Sequence, residues 1–399
     1  MRPGPGGPPA EGDFPDEFRR GSPPRVSRAF DPTDPANAGR ERAPEPRRFG
    51  LGRVWWEAMA LAAAALPVLL LMDAYVRDSP EPKNDELIYE LMAQAPFEPH
   101  TFPFAHRIAV PTLVHVLPFS HDFSFAWLAW LSTVGCGALV YVLLRRFAIG
   151  RRLAFALGLC IAWCPTLFVV SLREGRNVDP ETGLVMLAGA IAIVDRRRAA
   201  LAVILVAGAL VREAALFLVP FAYAVWARRL WDPRALRDTA AAAAPALVAY
   251  AIVRLTVPFV ERENVLGYRS LLGGRWEVLR EAWETKTTVV RRVVLAFGPL
   301  WAVAPFALAD LRWARRGLVL LAMCGVGMLF ALDWGRIVFY ALPVVIVAAA
   351  WVLDRRPRLA IATVALFLAL NFVYVIYMED FGGAQDGIID AGPARYEVR

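Results

Sequence analysis

GALVYVLLRRFAIGRRLAFALGL, residues 137–159, decides how this chain is read. An apolar run ends in Arg145 and Arg146, four residues follow, and Arg151 and Arg152 open the next apolar run. The unit recurs: Arg196–Arg198, Arg228 to Arg237, Arg312 to Arg316 and Arg355 to Arg358 all punctuate apolar stretches. Eleven apolar segments are readable, at about 54–76, 123–144, 153–170, 182–194, 199–211, 214–227, 239–257, 289–309, 317–332, 337–353 and 358–378. The fold expected is all-α, a polytopic transmembrane helical bundle of about 11 membrane segments. A β-barrel would instead alternate polar and apolar residues in segments of about ten. A full span needs about 20 residues, so the fourth, fifth and sixth segments predict half-height helices or helices whose polar ends are covered by neighbours.

Composition agrees. Of 399 residues 57% are hydrophobic, and the mean hydropathy is +0.44, above the usual balance of a soluble domain. The net charge of +7 does not point to nucleic acid, because the arginines sit between apolar runs and no nucleic-acid motif is present. Cys136, Cys160, Cys164 and Cys324 all fall inside apolar segments. Cys160 and Cys164 share a helix face but lack the third and fourth ligands of a zinc site, so neither metal nor disulfide is expected. Residues 1–48 hold eleven prolines and few large aliphatics, too little apolar surface to fold. They read as a disordered cytoplasmic tail, and the first span as an anchor that is retained rather than cleaved.

Basic clusters mark the cytoplasmic side of a membrane protein. Every even-numbered segment exits into one, and Arg47, Arg48 and Arg53 precede the first. The N-terminus is therefore expected in the cytoplasm, with residues 49–378 as the transmembrane domain and 379–399 as an extracytoplasmic tail. The long loops 77–122 and 258–288 are expected to face outward, although the 258–292 region is rich in Arg and Lys, alongside Glu261, Glu263, Glu277, Glu281 and Glu284. Charged residues of the odd-numbered exits are expected at one membrane surface rather than at mid-depth.

Four outer stretches carry the candidate site. In NDELIYELMAQ, 84–94, a helix would put Asp85, Tyr89 and Met92 on one face and turn Glu86 about 100° away. Asp85 reads as a general base or, with Asn84, as a helix cap. FAHRIAVPTLVHVLPF, 104–119, reads as interfacial helix. Arg107 is poised for an anionic head group, and His106 and His115 are expected to face solvent. SLREGRNVDPETG, 171–183, packs Arg173, Glu174, Arg176, Asn177, Asp179 and Glu181 into one short loop, with Asp-Pro as a turn. VREAALFLVP, 211–220, sets Arg212 and Glu213 between two apolar runs, where charge marks either a function or a buried Arg–Glu or Arg–Asp pair. Asp333 and Arg336 in ALDWGRIVFYALP, 331–343, pair with one another or face the same site.

In order and spacing these pieces resemble the GT-C superfamily of integral membrane glycosyltransferases. The likeness covers about residues 54–378. Asp85 stands in D-x-x-x-Y after the first span. Arg107, Pro111 and Leu113 form R-x-x-x-P-x-L, and Asp179 lies in the second outer loop. Arg212 and Glu213 precede an apolar run ending in Pro220, and Asp333 and Arg336 precede Pro343. The resemblance implies a polyprenyl-phosphate sugar donor and an envelope glycan, lipid or protein acceptor, worked on among membrane lipids; the Ala- and Arg-rich composition points to a high-GC bacterium, and so to a bacterial inner membrane. It implies Asp85 as the catalytic base and outer-face arginines on the lipid phosphate. Glu86, Tyr89, Arg107, Arg176, Asp179, Arg212, Glu213, Asp333 and Arg336 would bind substrate. No D-x-D motif is present, so no metal or other cofactor is expected. No large soluble domain follows the spans. A transporter or lipid flippase is the competing reading, since it too would place charges among its helices. An outer-face acyltransferase, with His106 or His115 as base, is a third.

Overall fold

The structure is a computed structural model that describes residues 51–76, 85–101, 104–164, 167, 176–260, 293–329 and 334–376. It is mostly helical. Among the described residues four helices are long and apolar enough to cross a membrane: α1 (Leu51–Val76), α4 (His121–Arg146), α9 (Pro233–Thr256) and α14 (Pro357–Ile376). Between α1 and α4 lie two short amphipathic helices, α2 (Asp85–Gln94) and α3 (Ala109–Val116). The remaining helices are shorter: α5 (Arg151–Ala162), α6 (Asp179–Val194), α7 (Arg198–Val211), α8 (Leu218–Trp226), α10 (Leu300–Val303), α11 (Arg312–Met328), α12 (Trp334–Phe339) and α13 (Leu342–Leu353). Each expected apolar segment thus meets helix within its described residues, and among those residues four helices reach the length of a span.

Two expected spans are broken, for local reasons. The 289–309 segment is interrupted at Gly298, φ +47°, followed by Pro299, and closes in a 3-10 turn at Ala304–Leu308. The 337–353 segment splits into α12 and α13, because Pro343 sits in the first turn of α13 and cannot donate a hydrogen bond back to the preceding turn. Within the 153–170 segment α5 ends at Ala162, and Cys164 lies just past that end.

α4 is the hub, packed against α1, α5 and α6. α13 is apolar on every side and buried on every side, which is what such a helix requires. α1, α4 and α5 approach closely at two glycines. A Cβ on Gly137 would lie 2.5 Å from the Gly158 carbonyl oxygen, and one on Gly158 would lie 2.5 Å from Leu61 Cδ1. Small residues let membrane helices pack backbone to backbone.

The arginine turns gather at one end of the bundle. Arg146 grips Asp195 with two bonds, of 3.0 and 3.2 Å. The Gly150 amide donates to Asp354 at 2.9 Å, and Arg198 meets Asp238 at 2.7 Å. Glu57 of α1 accepts from the Tyr141 hydroxyl and pairs with Arg151 at 3.1 Å. Arg312 donates to the Ala227 carbonyl at 3.4 Å. Two of these turns use residues in left-handed conformation, Ala148 and Arg196, which end a helix within one residue.

At the opposite end α2 and α3 cover the bundle. Ile88, Tyr89, Met92 and Ala93 face Val110, Val114, Phe125, Val178 and Val211. Leu87, Leu91, Leu113, Val116 and Phe119 remain exposed on the outer surface of this layer, as an interfacial helix pair requires. A two-residue parallel pairing, His100–Thr101 with Phe259–Val260, joins the two long loops.

The Gly137 contact is testable. Gly137→Val meets backbone rather than a movable side chain, so it should cost about 1–3 kcal/mol. This would appear as a lower melting midpoint of the detergent-purified protein, with Gly52→Val, which meets nothing within 4 Å, as the neutral control.

Candidate functional site

Arg212 shows how the charged end is assembled. α7 stops at Val211, and Arg212 is extended, with φ −163° and ψ 136°. Glu213 then opens a 3-10 turn, Glu213–Phe217, leading into α8. This break gives two adjacent charged residues different partners. Arg212 donates through Nη1 to Asp179 Oδ1. Glu213 holds Arg107 with two bonds, Nη2 to Oε1 at 2.7 Å and Nε to Oε2 at 3.2 Å.

Asp179 is the centre. It stands in the first turn of α6, followed by Pro180, and is 3% exposed. The sequence reading made Asp-Pro a turn before the helix; both residues are instead inside its first turn, where proline's missing N–H costs nothing. Arg336 of α12 donates to Asp179 Oδ2 at 3.0 Å, and the Tyr340 hydroxyl donates to Oδ1. The Arg212 guanidinium also lies over the Tyr340 ring, 5.6 Å from its centroid. A buried carboxylate survives only when paired and hydrogen-bonded, and Asp179 has both.

Arg107 extends the network to the covering layer. Its Nη1 donates to the Tyr89 hydroxyl at 3.2 Å, and its guanidinium sits 5.1 Å from the Phe104 ring centroid. Burial opposes its charge, but Glu213 and Tyr89 outweigh burial and raise its pKa well above the usual arginine value. A neighbouring cluster contains Arg176, whose Nε donates to Glu90 at 3.1 Å and which also pairs with Asp122 at the start of α4. His121 Nδ1 lies 3.1 Å from the other oxygen of Glu90.

Five expected site residues therefore converge: Arg107, Asp179, Arg212, Glu213 and Arg336. Tyr89 joins them through Arg107, while Arg176 sits one cluster away. Asp85 begins α2, one helical turn before buried Tyr89; the side chains of Asp85 and Glu86, like the whole of Asp333, lie outside the described residues. The buried-pair reading of Arg212 is what the geometry shows, with Asp179 as partner.

One expectation is corrected. His106 does not face solvent; it is 2% exposed. Burial, reinforced by the positive charge of Arg254, pushes its pKa down to about 4. His115 stays at the surface and bonds the Ala93 carbonyl at 2.8 Å, tying α3 to α2. The Cys136 thiol donates to the Pro180 carbonyl at 3.7 Å, so the first turn of α6 lies beside the middle of α4. At 1.5 Å per residue that is about 15 Å from the Arg146 end.

Tyr340 and Glu90 were missed by sequence reading. Tyr340 stands four residues after Arg336, a helical spacing that would have suggested it. Glu90 had no signal beyond its neighbours. Glu181, two residues after Asp179 and so on the other side of α6, is 8% exposed, and its Oε2 meets no hydrogen-bond partner among the described residues. Among those residues no three metal-ligating side chains come together. Chemically, the arrangement is a row of planar guanidinium forks held in place by carboxylates. Such forks suit the oxygens of a phosphate.

No protein-family model matches the chain, and no curated protein matches it.

Removing one partner of a buried ion pair costs about 3–5 kcal/mol. Asp179→Leu should therefore destabilise far more than the double variant Asp179→Leu/Arg212→Met, measured as melting midpoints in detergent. Equal losses would show that the pair does not act as a unit. For His106, the folded pKa lies below the ordinary 6.5, so the folded protein binds fewer protons than the unfolded chain between these values. Its contribution is present above pH 6.5 and is lost as pH falls towards 4. His106→Gln should shrink the drop in melting midpoint between pH 6.5 and 4 relative to the wild type.

Proposed function

We propose that this chain is a multi-pass membrane glycosyltransferase of GT-C type, with about eleven membrane segments and a cytoplasmic N-terminus. It would move a sugar from a polyprenyl-phosphate donor to an acceptor on the extracytoplasmic face of a bacterial inner membrane. One observation carries the reading: Arg107, Asp179, Arg212, Glu213 and Arg336, from segments far apart in sequence, meet in one network beneath the α2–α3 layer.

The roles we propose combine that network with the resemblance that singles out Asp85. The acceptor hydroxyl oxygen attacks the anomeric carbon, the bond from that carbon to the phosphate oxygen breaks, and configuration inverts. Asp85 takes the hydroxyl proton. Charge grows on the departing lipid phosphate, and Arg212 and Arg336 stabilise it, with Arg107 beside them. Asp179 and Glu213 are positioning residues that hold those guanidinium groups at fixed angles. The exposed apolar residues of α2 and α3 give the isoprenoid chain a surface to run along. A lipid-borne donor explains a site at the membrane without a nucleotide-binding fold.

A second reading draws on the depth of Asp179 beside the middle of α4. Charges at mid-height between helices are also what a transporter or lipid flippase uses.

Transfer of a labelled sugar from polyprenyl-phosphate donors to envelope glycans separates the readings. Membranes with Asp85→Asn should lose transfer by about 10²–10⁴-fold, the usual worth of a general base, while the protein level holds. Arg336→Lys should lower it as well, since an ammonium lacks the planar fork. Undiminished transfer in Asp85→Asn would remove Asp85 as base. A wild type that transfers nothing yet moves lipid-linked sugar across vesicles would replace the enzyme with the flippase.

A further inference from the structure

The end opposite Asp179 carries a cavity that none of this chemistry uses. It measures about 640 Å³ and opens between the α6–α7 turn and the α8–α9 turn, within the usual range of about 300–1,000 Å³ for a ligand site. Arg196, Arg198, Arg228, Arg229 and Arg234 line it, against two carboxylates, Asp232 and Asp238. Both carboxylates are engaged. Asp238 accepts from Arg198 at 2.7 Å. Asp232 caps α9, accepting from the backbone amides of Arg228, Arg234 and Ala235 at 3.0, 3.1 and 3.2 Å. Those amides hold its carboxyl below the ordinary range. The guanidinium groups of Arg196, Arg228, Arg229 and Arg234 meet no carboxylate among the described residues. Five arginines less two aspartates leave a charge of +3 in one cavity, an unbalanced field that draws an anion.

The surroundings indicate which anion. Leu230 and Trp231, between Arg229 and Asp232 in the chain, are 82% and 79% exposed. α9 starts here and is long and apolar enough to cross a membrane, with Leu236, Leu247 and Ile252 exposed along it. Tryptophan beside unpaired arginines at the first turn of a span is the arrangement of a membrane boundary, and basic pockets at that level take lipid head groups.

We propose that this basin binds a phosphate ester, the head group of an anionic membrane lipid whose acyl chains run beside Trp231 and along α9. The site is independent of the reaction at the other end.

The full chain, purified in non-ionic detergent and re-lipidated with phosphatidylglycerol and phosphatidylcholine, tests this by native mass spectrometry. Wild type should retain phosphatidylglycerol preferentially. In Arg228→Gln/Arg229→Gln/Arg234→Gln the retained amount should fall by at least about tenfold, since each surface arginine adds several-fold to anion affinity. The corresponding Lys variants should keep part of it. Arg152→Gln/Arg356→Gln/Arg358→Gln removes equal charge from the same end outside the cavity and should leave retention intact. Equal loss in both triple variants, or no loss in the first, overturns the site. Displacement by millimolar inorganic phosphate, with binding that survives Trp231→Ala, overturns the lipid source and assigns the basin to a soluble phosphate.

Discussion

The Asp179 carboxylate is the constraint on which the charged end depends. A carboxylate 3% exposed beside the middle of a membrane-length helix is tolerable only with cationic and hydroxyl partners in place. Those partners come from the end of α7 and from the α12 region, 33, 157 and 161 residues away along the chain. Satisfying Asp179 therefore fixes where two separate segments stop. α7 must end at Val211 so that Arg212 reaches back, and α12 must end before Tyr340 so that a new helix can start at Leu342.

Short helices create a second requirement. α6 ends and α7 begins at the arginine turn Asp195–Arg198, and their other ends, at Asp179 and Val211, are polar helix ends that water or lipid would otherwise meet. α2 and α3 lie over them. Their inner faces are apolar, and Arg107 is the polar tie, holding Glu213 of the bundle and Tyr89 of the layer at once. The two halves of the chain's polar inventory are thus used differently. At one end arginines brace short turns through exposed or half-exposed pairs. At the other they are buried with carboxylates.

Much of this was legible. The apolar runs, the arginine turns and the amphipathic character of 85–94 and 104–119 are local properties; 85–94 is helical as read, while within 104–119 the α-helix covers only Ala109–Val116. Arg107, Asp179, Arg212, Glu213 and Arg336 were legible as a set because charge within apolar sequence is costly and so carries information. The breaks were harder. Pro343 marked one in 337–353, yet its apolar neighbours masked it. His106 was misplaced because one polar residue in an amphipathic stretch looks exposed until the partner surface is known.

What the sequence alone determined is the helical class, the location of the turns and the short list of charged residues, because these follow from hydration of apolar side chains and from backbone hydrogen bonding within each segment. What only the tertiary structure decided is depth and partnership: that Asp179 sits beside the middle of α4, that Arg212 belongs to Asp179 while neighbouring Glu213 belongs to Arg107, and that His106 is buried. These rest on contacts between segments scores of residues apart, whose energies depend on which surfaces are removed from water together, and no local pattern records that.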